Sequence, residues 1–216
     1  MARFTATLLL ALVSIGGTAI AGNNGDGQAS EWNFRVYLDD TEVGFHRFSL
    51  VEEGDLQRLR TVADFSVKFL FFTAFRYEHV NEETWSGECL QAIESRTFAN
   101  GQEFAVVGQR EEDGFAIEAS TGSREMDGCV KSFAYWNPDI LDEQVLLNAQ
   151  TGELLPVSIE PVSEETLTVR GQEMPATRYR LVARNMALDI WYSQDRHWVA
   201  LESTVKGGRK LRYELT

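Results

Sequence analysis

The sequence predicts an all-β fold: a single large curled antiparallel sheet, a half-barrel or open barrel, with one short helix. Three observations predict it. From Trp32 onward, apolar residues alternate with polar ones at a period of two, the pattern of strands with one buried face. The alternating runs are separated by short turns rich in Gly, Asn and Asp. Helical periodicity is scarce. About a dozen strands of this kind cannot stay flat, and an antiparallel sheet of that size curls, splits into a sandwich or closes on itself.

The elements follow in order. Residues 22–31 are small and polar and form a flexible leader. Trp32, Phe34, Val36 and Leu38 make the first strand, and Asp39-Asp40-Thr41 turns into a second from Val43 to Val51, ending at Glu52-Glu53-Gly54-Asp55. Asn100-Gly101 is the strongest hairpin signal, because both central residues of a type I′ turn need positive φ. It joins Ala92–Ala99 to Gln102–Gln109. Glu112-Asp113-Gly114 leads into Phe115–Ala119. Asn137 as cap and Pro138 at the first position open the short helix, read over Pro138–Asn148. Arg170-Gly171 and Gly207-Gly208 are further turns. Between them Tyr179, Leu181 and Ala183 are apolar at odd positions, and Met186, Leu188 and Ile190 at even ones. A turn at Arg184-Asn185 explains that change of phase. Val199, Leu201 and Val205, then Leu211, Tyr213 and Leu215, form the last hairpin. Residues 32–216 thus read as one β-domain.

The N-terminus sets the compartment. Arg3, the apolar run Leu8–Ile20 and the small residues Ala19 and Ala21 have the layout of a cleavable signal peptide over residues 1–21. The run is shorter than the ~20 residues of a membrane span, and no transmembrane segment is expected after cleavage. The expected product is an exported, periplasmic protein beginning near Gly22. The formal charge is −13, and removing residues 1–21 takes away only Arg3. Such acidity speaks against binding nucleic acid, whose affinity comes from Lys and Arg on phosphates, and suits solubility.

Cys89 and Cys129 are the two cysteines. In an oxidising compartment they are expected to form a disulfide, closing a loop of about 40 residues and contributing up to ~4 kcal/mol. They lack the C-x-x-C spacing of a redox pair.

Residues 61–79 break the ordinary pattern. Ala63, Phe65, Val67, Phe69, Phe71, Phe75 and Tyr77 share one face of an extended chain, and Leu70, Phe72 and Ala74 make the other face apolar in the middle. The stretch is too long for one usual strand, so a bend or turn falls around Leu70–Thr73. In one reading this is the central strand pair of the core. In another, Phe65, Phe69, Phe71, Phe72, Phe75 and Tyr77, with Trp191 beside the Ser193–Arg196 turn, line a cavity or rim for an apolar ligand. A third reading is a helical stripe of Phe65, Phe69 and Phe72.

Other chemistry is thin. His46, His79 and His197 are far apart in sequence and show no H-x-x-x-H or H-E-x-x-H grouping, so no metal site is expected. There is no G-x-S-x-G elbow. Carboxylates such as Glu82, Glu83, Glu88, Asp139, Asp142 and Glu143 read as mostly solvated. No catalytic residue and no cofactor is assigned.

Three segments carry a family resemblance: Phe34-Arg35-Val36-Tyr37-Leu38-Asp39 with Val43-Gly44-Phe45-His46; Glu83-Thr84-Trp85-Ser86-Gly87-Glu88-Cys89-Leu90 leading to Thr97-Phe98-Ala99-Asn100-Gly101; and Leu188–Ser193 through Trp198–Ser203 to Leu211–Leu215. Together they resemble the exported proteobacterial DUF6134 proteins, themselves similar in pattern to DUF3108. The resemblance implies a periplasmic location and no particular activity, and it transfers no residue role. The strand pattern is also loosely similar to half-barrels that carry lipoproteins across the periplasm. The functional expectation is a non-enzymatic β-protein that binds a lipid or other apolar small molecule. The alternative is an envelope assembly or scaffold protein acting through protein contacts, with an enzyme third.

Overall fold

The computed structural model describes residues 29–69, 72–184, 186–205 and 207–216, with residues 68, 69 and 72–74 described by their backbone alone. The expected signal peptide, residues 22–28 of the expected leader, Leu70 and Phe71 lie outside the described residues. Among the described residues fourteen strands form one antiparallel sheet, with β8 and β9 at its two ends. In chain order they are β1 (Ala29–Leu38), β2 (Thr41–Glu53), β3 (Leu56–Phe69), β4 (Phe72–Ser86), β5 (Cys89–Ala99), β6 (Gln102–Arg110), β7 (Phe115–Ala119), β8 (Arg124–Met126), β9 (Val145–Leu147), β10 (Leu154–Val169), β11 (Gln172–Ala183), β12 (Met186–Ser193), β13 (Trp198–Thr204) and β14 (Lys210–Leu215). Apart from β8 and β9, neighbours in sequence are neighbours in the sheet. The one long-range pairing is β1 with β14, where Phe34 opposes Leu215 and Val36 opposes Tyr213. The chain is all-β, and the sheet is curled but not closed.

The turns behave as their residues dictate. Asn100 and Gly101 have φ of 47° and 90°, both in the region a type I′ turn needs. Gly44 is required for a different reason: a Cβ there would lie 1.9 Å from the Asp64 carbonyl oxygen, so β2 and β3 can approach only without a side chain. Two boundaries differ from the sequence reading. β1 begins at Ala29, inside the expected leader, because Ala29–Glu31 pair with Ser49–Val51 of β2. The expected helix over Pro138–Asn148 is a 3₁₀ turn of five residues, Pro138–Asp142, capped by the Asn137 side chain. It stops because Val145–Leu147 is drawn into pairing with Leu154–Pro156 of β10, so the apolar residues there serve a strand.

Alternation sends Phe34, Val36, Leu50, Leu59, Trp85, Ile93, Ile190 and Leu201 to the concave face, where they form one continuous core. The connection from β8 to β9 crosses that concave side. The Leu90 amide donates to the Val130 carbonyl (2.9 Å), and the Leu147 amide to the Lys131 carbonyl (2.9 Å). Tyr192 Oη donates to the Tyr135 carbonyl (2.8 Å), and Ser95 Oγ bonds the Ala149 carbonyl. Residues 130–149 therefore tie β5 to β12 across the inside of the curl. The Cys89–Cys129 disulfide, Cα to Cα 5.1 Å, fixes the entry of this crossing segment to the start of β5.

A second, smaller core lies away from this face. Val169, Ala176, Trp191 and Val199 are buried there with Leu167 and Met174. The end of the long β10–β11 hairpin supplies most of it, beyond a bulge between Pro161 and Ser163.

Candidate functional site

The concave face does not fill. A cavity of about 680 Å³ remains between strands β1–β4, β12–β14 and the crossing segment, within the roughly 300–1,000 Å³ of small-molecule sites. Its lining runs from Leu38, Val67, Phe75 and Arg209 at one end of the strands to Glu83, Ser132 and Trp136 at the other. Phe75 is 38% exposed, so the first end meets solvent. At the other end Trp136 meets Trp85 edge-on, with ring centroids 5.6 Å apart, and closes the floor.

Most of the lining is apolar, but one wall is not. The cross-strand register explains why. Gly44, Phe65, Tyr77 and Ala99 lie in one row across β2 to β5. His46, Ala63, His79 and Thr97 form the next row, then Phe48, Thr61, Asn81 and Ser95, then Leu50, Leu59, Glu83 and Ile93. From Phe75 onward the odd positions of β4 face inward, so Tyr77, His79, Asn81 and Glu83 form a polar stripe down the wall. Ala63 stands between His46 and His79. Two strand spacings separate those histidines, about 10 Å, and the short alanine leaves a notch between the rings.

The hydrogen bonds of the stripe are incomplete. Glu83 is satisfied: Asn81 Nδ2 and Trp85 Nε1 each donate to its carboxyl at 2.9 Å. Burial raises its pKa above the usual carboxylate value, against these donors and Ser132. His79 Nδ1 pairs with Thr97 Oγ1 at 2.8 Å, and His46 Nδ1 lies 3.4 Å from Tyr213 Oη. His46 Nε2, Thr61 Oγ1 and Asn81 Oδ1 are buried and have no partner. Burial pushes His79 down to about 4, and it pushes His46 well below the ordinary histidine value with help from His79. It also raises the Tyr77, Tyr135 and Tyr213 hydroxyls. Near neutral pH His46, His79, Tyr77 and Tyr213 on the wall are thus uncharged hydrogen-bonding groups.

The residues singled out from sequence are only partly brought together. Phe65, Phe75 and Tyr77 line the cavity, and Phe65 stacks on Tyr77 with centroids 5.3 Å apart. Phe69 and Phe72 pair at the end of the β3–β4 hairpin, and Leu70 and Phe71, where the bend was expected, lie outside the described residues. Trp191 stands elsewhere, in the second core, and its Nε1 donates to Glu165 (2.9 Å). Its phase sends it there: Leu188, Ile190 and Tyr192 take the inward positions of β12. Glu83, read as solvated, is buried because it sits at an odd position. Its neighbour Glu82 points outward to Arg60. Asn81, Thr61 and Ser132 went unnoticed. The signal was the continued period of two from Phe75 through Trp85, in which polar residues take the core phase.

No three His, Cys, Asp or Glu side chains gather as metal ligands would among the described residues, and none of their helices is long and apolar enough to cross a membrane. The fold is similar to the crystal structure of a β-barrel-like protein of domain of unknown function DUF1849 from Brucella abortus. The TM-score is 0.63 at 7% identity, over 86% of this chain and 94% of that one. No curated protein matches the chain. The family model of DUF6134, a domain of unknown function, matches residues 34–216, and the chain belongs to that family.

Proposed function

We propose that this is an exported periplasmic protein that binds an apolar, lipid-like ligand in its cavity without transforming it. The cavity carries the reading: about 680 Å³ lined largely by Leu, Val, Phe and Tyr, open at the Phe75 end. A void of that size forfeits packing that a well-filled core keeps, so a chain that maintains it gains something else from it. Export rests on the composition of residues 1–21.

Native mass spectrometry of protein purified from the envelope, followed by organic extraction, tests the reading. The expected result is a copurifying apolar molecule, or uptake of one hydrophobic fluorescent probe per chain, lost when Leu201→Trp fills the space. Protein that is empty and ignores such probes would overturn it. A ligand recovered chemically altered would shift the reading to acid–base chemistry by the cavity histidines.

One observation favours a second reading, an assembly role through protein contacts. β3 pairs with β2 only as far as Phe65, and β4 with β5 only from Tyr77. Residues 66–69 of β3 and 72–76 of β4 therefore run about 13 Å beyond the last positions paired with β2 and β5, in an apolar stretch of the sequence. Crosslinking in cells from Arg76→Cys separates the readings: a stoichiometric protein partner supports assembly.

A further inference from the structure

Resting on the cavity reading, we infer that the ligand is an amphiphile whose buried end is an uncharged hydrogen-bond donor, a hydroxyl or an amide, seated against Thr61, Asn81 and His79. The apolar chain then runs along Phe65 and Val67 toward the Phe75 end.

Three observations select that chemistry. The first is the unmet capacity of the wall. Thr61 and Asn81 are directly opposed across β3 and β4, and Thr61 Oγ1 and Asn81 Oδ1 are buried without partners. A buried polar atom left unpaired costs about 1–3 kcal/mol, and two adjacent ones at a void mark a place where a partner fits. The second is direction. Asn81 Nδ2 is committed to Glu83, so its oxygen faces any ligand as an acceptor and calls for a donor. An ionised carboxylate or phosphate has only acceptors to offer. The third is charge. Among the described residues, the only cationic side chain on the lining is Arg209, at the opposite end and bonded to Asp39 at 2.7 Å. An anion at the stripe would lie beside the Glu83 carboxyl with no compensating cation, in the geometry that disfavours charge most strongly. His79 completes the seat, since it lines the cavity and its ring is held by Thr97 through Nδ1.

The test uses four dodecyl compounds that share one tail: 1-dodecanol, lauramide, laurate and dodecane. Each is titrated at pH 7.5 against a hydrophobic fluorescent probe bound to the mature protein. Dodecanol and lauramide are expected to compete at least tenfold more tightly than laurate or dodecane. Thr61→Val, which keeps the shape and removes the oxygen, is expected to shrink the advantage of dodecanol over dodecane severalfold. Asn81→Leu serves as the second variant, both being checked for native circular dichroism. Equal binding of dodecanol and dodecane, or tighter laurate, would overturn the assignment of the head group while leaving the cavity reading intact. Failure of all four to bind would overturn both.

Discussion

Two parts of the molecule bury polar groups against aromatic rings, and they do so in opposite ways. In the second core, beside Trp191, charges meet their opposites. Arg178 reaches Asp189 at 2.6 Å and Glu165 at 3.4 Å, Arg180 also bonds Asp189, and Trp191 Nε1 donates to Glu165. On the concave face, beside Phe65 and Tyr77, the groups are uncharged, several lack partners, and a void lies next to them. A cluster whose charges are paired contributes to holding the sheet together, even with Arg178 Nε buried and without a partner. An unpartnered one at a cavity costs stability in the empty protein and makes sense only if something else completes it. Four measurements can break or sharpen this contrast.

The largest effect concerns the cavity floor. The disulfide anchors the segment that crosses the concave face, so Cys89→Ser with Cys129→Ser should lower stability by up to ~4 kcal/mol. Chemical denaturation of oxidised protein and double variant measures it. Because Trp136 and Ser132 lie on that segment, the variant should also bind the hydrophobic probe more weakly at temperatures where it is still folded. Unchanged binding would mean that the floor is set without the tether.

Acid should next separate the two regions. His79 is held near 4 in the folded protein against an ordinary value of 6.5, and burial lowers His46 in the same direction. The unfolded chain therefore binds protons first. Stability is complete above about pH 6.5 and falls as the pH drops toward 4, by ~3 kcal/mol for His79 alone. Glu83 faces the same space with a raised pKa, so its burial cost is relieved on acidification and offsets part of that loss. Glu165 of the outer cluster is lowered below 4.5, and its contribution fades only at more acid pH. The fall between pH 6.5 and 4.5 should thus vanish in His46→Phe, His79→Phe protein. Its persistence would place the titration elsewhere.

Asp189→Asn probes the partnered region. It leaves Arg178 and Arg180 without their shared counter-charge, and the site is partly solvated, so a loss of about 2 kcal/mol is expected. Binding of the probe should not change. A binding defect would show that the two faces of the sheet are coupled.

How much of this could be read from the residues alone differs between the two regions. Period two exposed the strands and their curl, Asn100-Gly101 the hairpin, and the two cysteines their bond. The aromatic half of the cavity was legible too, because Phe65, Phe75 and Tyr77 are apolar in an inward phase. The polar half was hidden by the rule that finds cores. His79, Asn81 and Glu83 occupy the same inward phase but look like solvent-facing residues, and only the uninterrupted run of β4 to Ser86 shows otherwise. The side of the sheet that Trp191 takes was hidden for the converse reason. An aromatic residue beside a turn says nothing about which face of the sheet it takes, and the second core could not be foreseen without the fold-back of β10 and β11.

The smallest effect has the sharpest sign. Thr61→Val removes a buried oxygen that has no partner and keeps the side-chain volume, so the empty protein should become more stable, by about 1 kcal/mol. Mutations of well-satisfied core residues nearly always go the other way. The melting temperature of ligand-free protein should therefore rise by a few degrees. With a saturating hydroxyl-bearing ligand the order should invert, the parent protein gaining more from binding than the variant, because binding stabilises in proportion to affinity. A variant less stable than the parent when empty would mean that Thr61 is already satisfied, by water in the cavity, and that the polar wall is an ordinary hydrated surface. Gain when empty and relative loss when filled is the signature of a residue kept for what it binds.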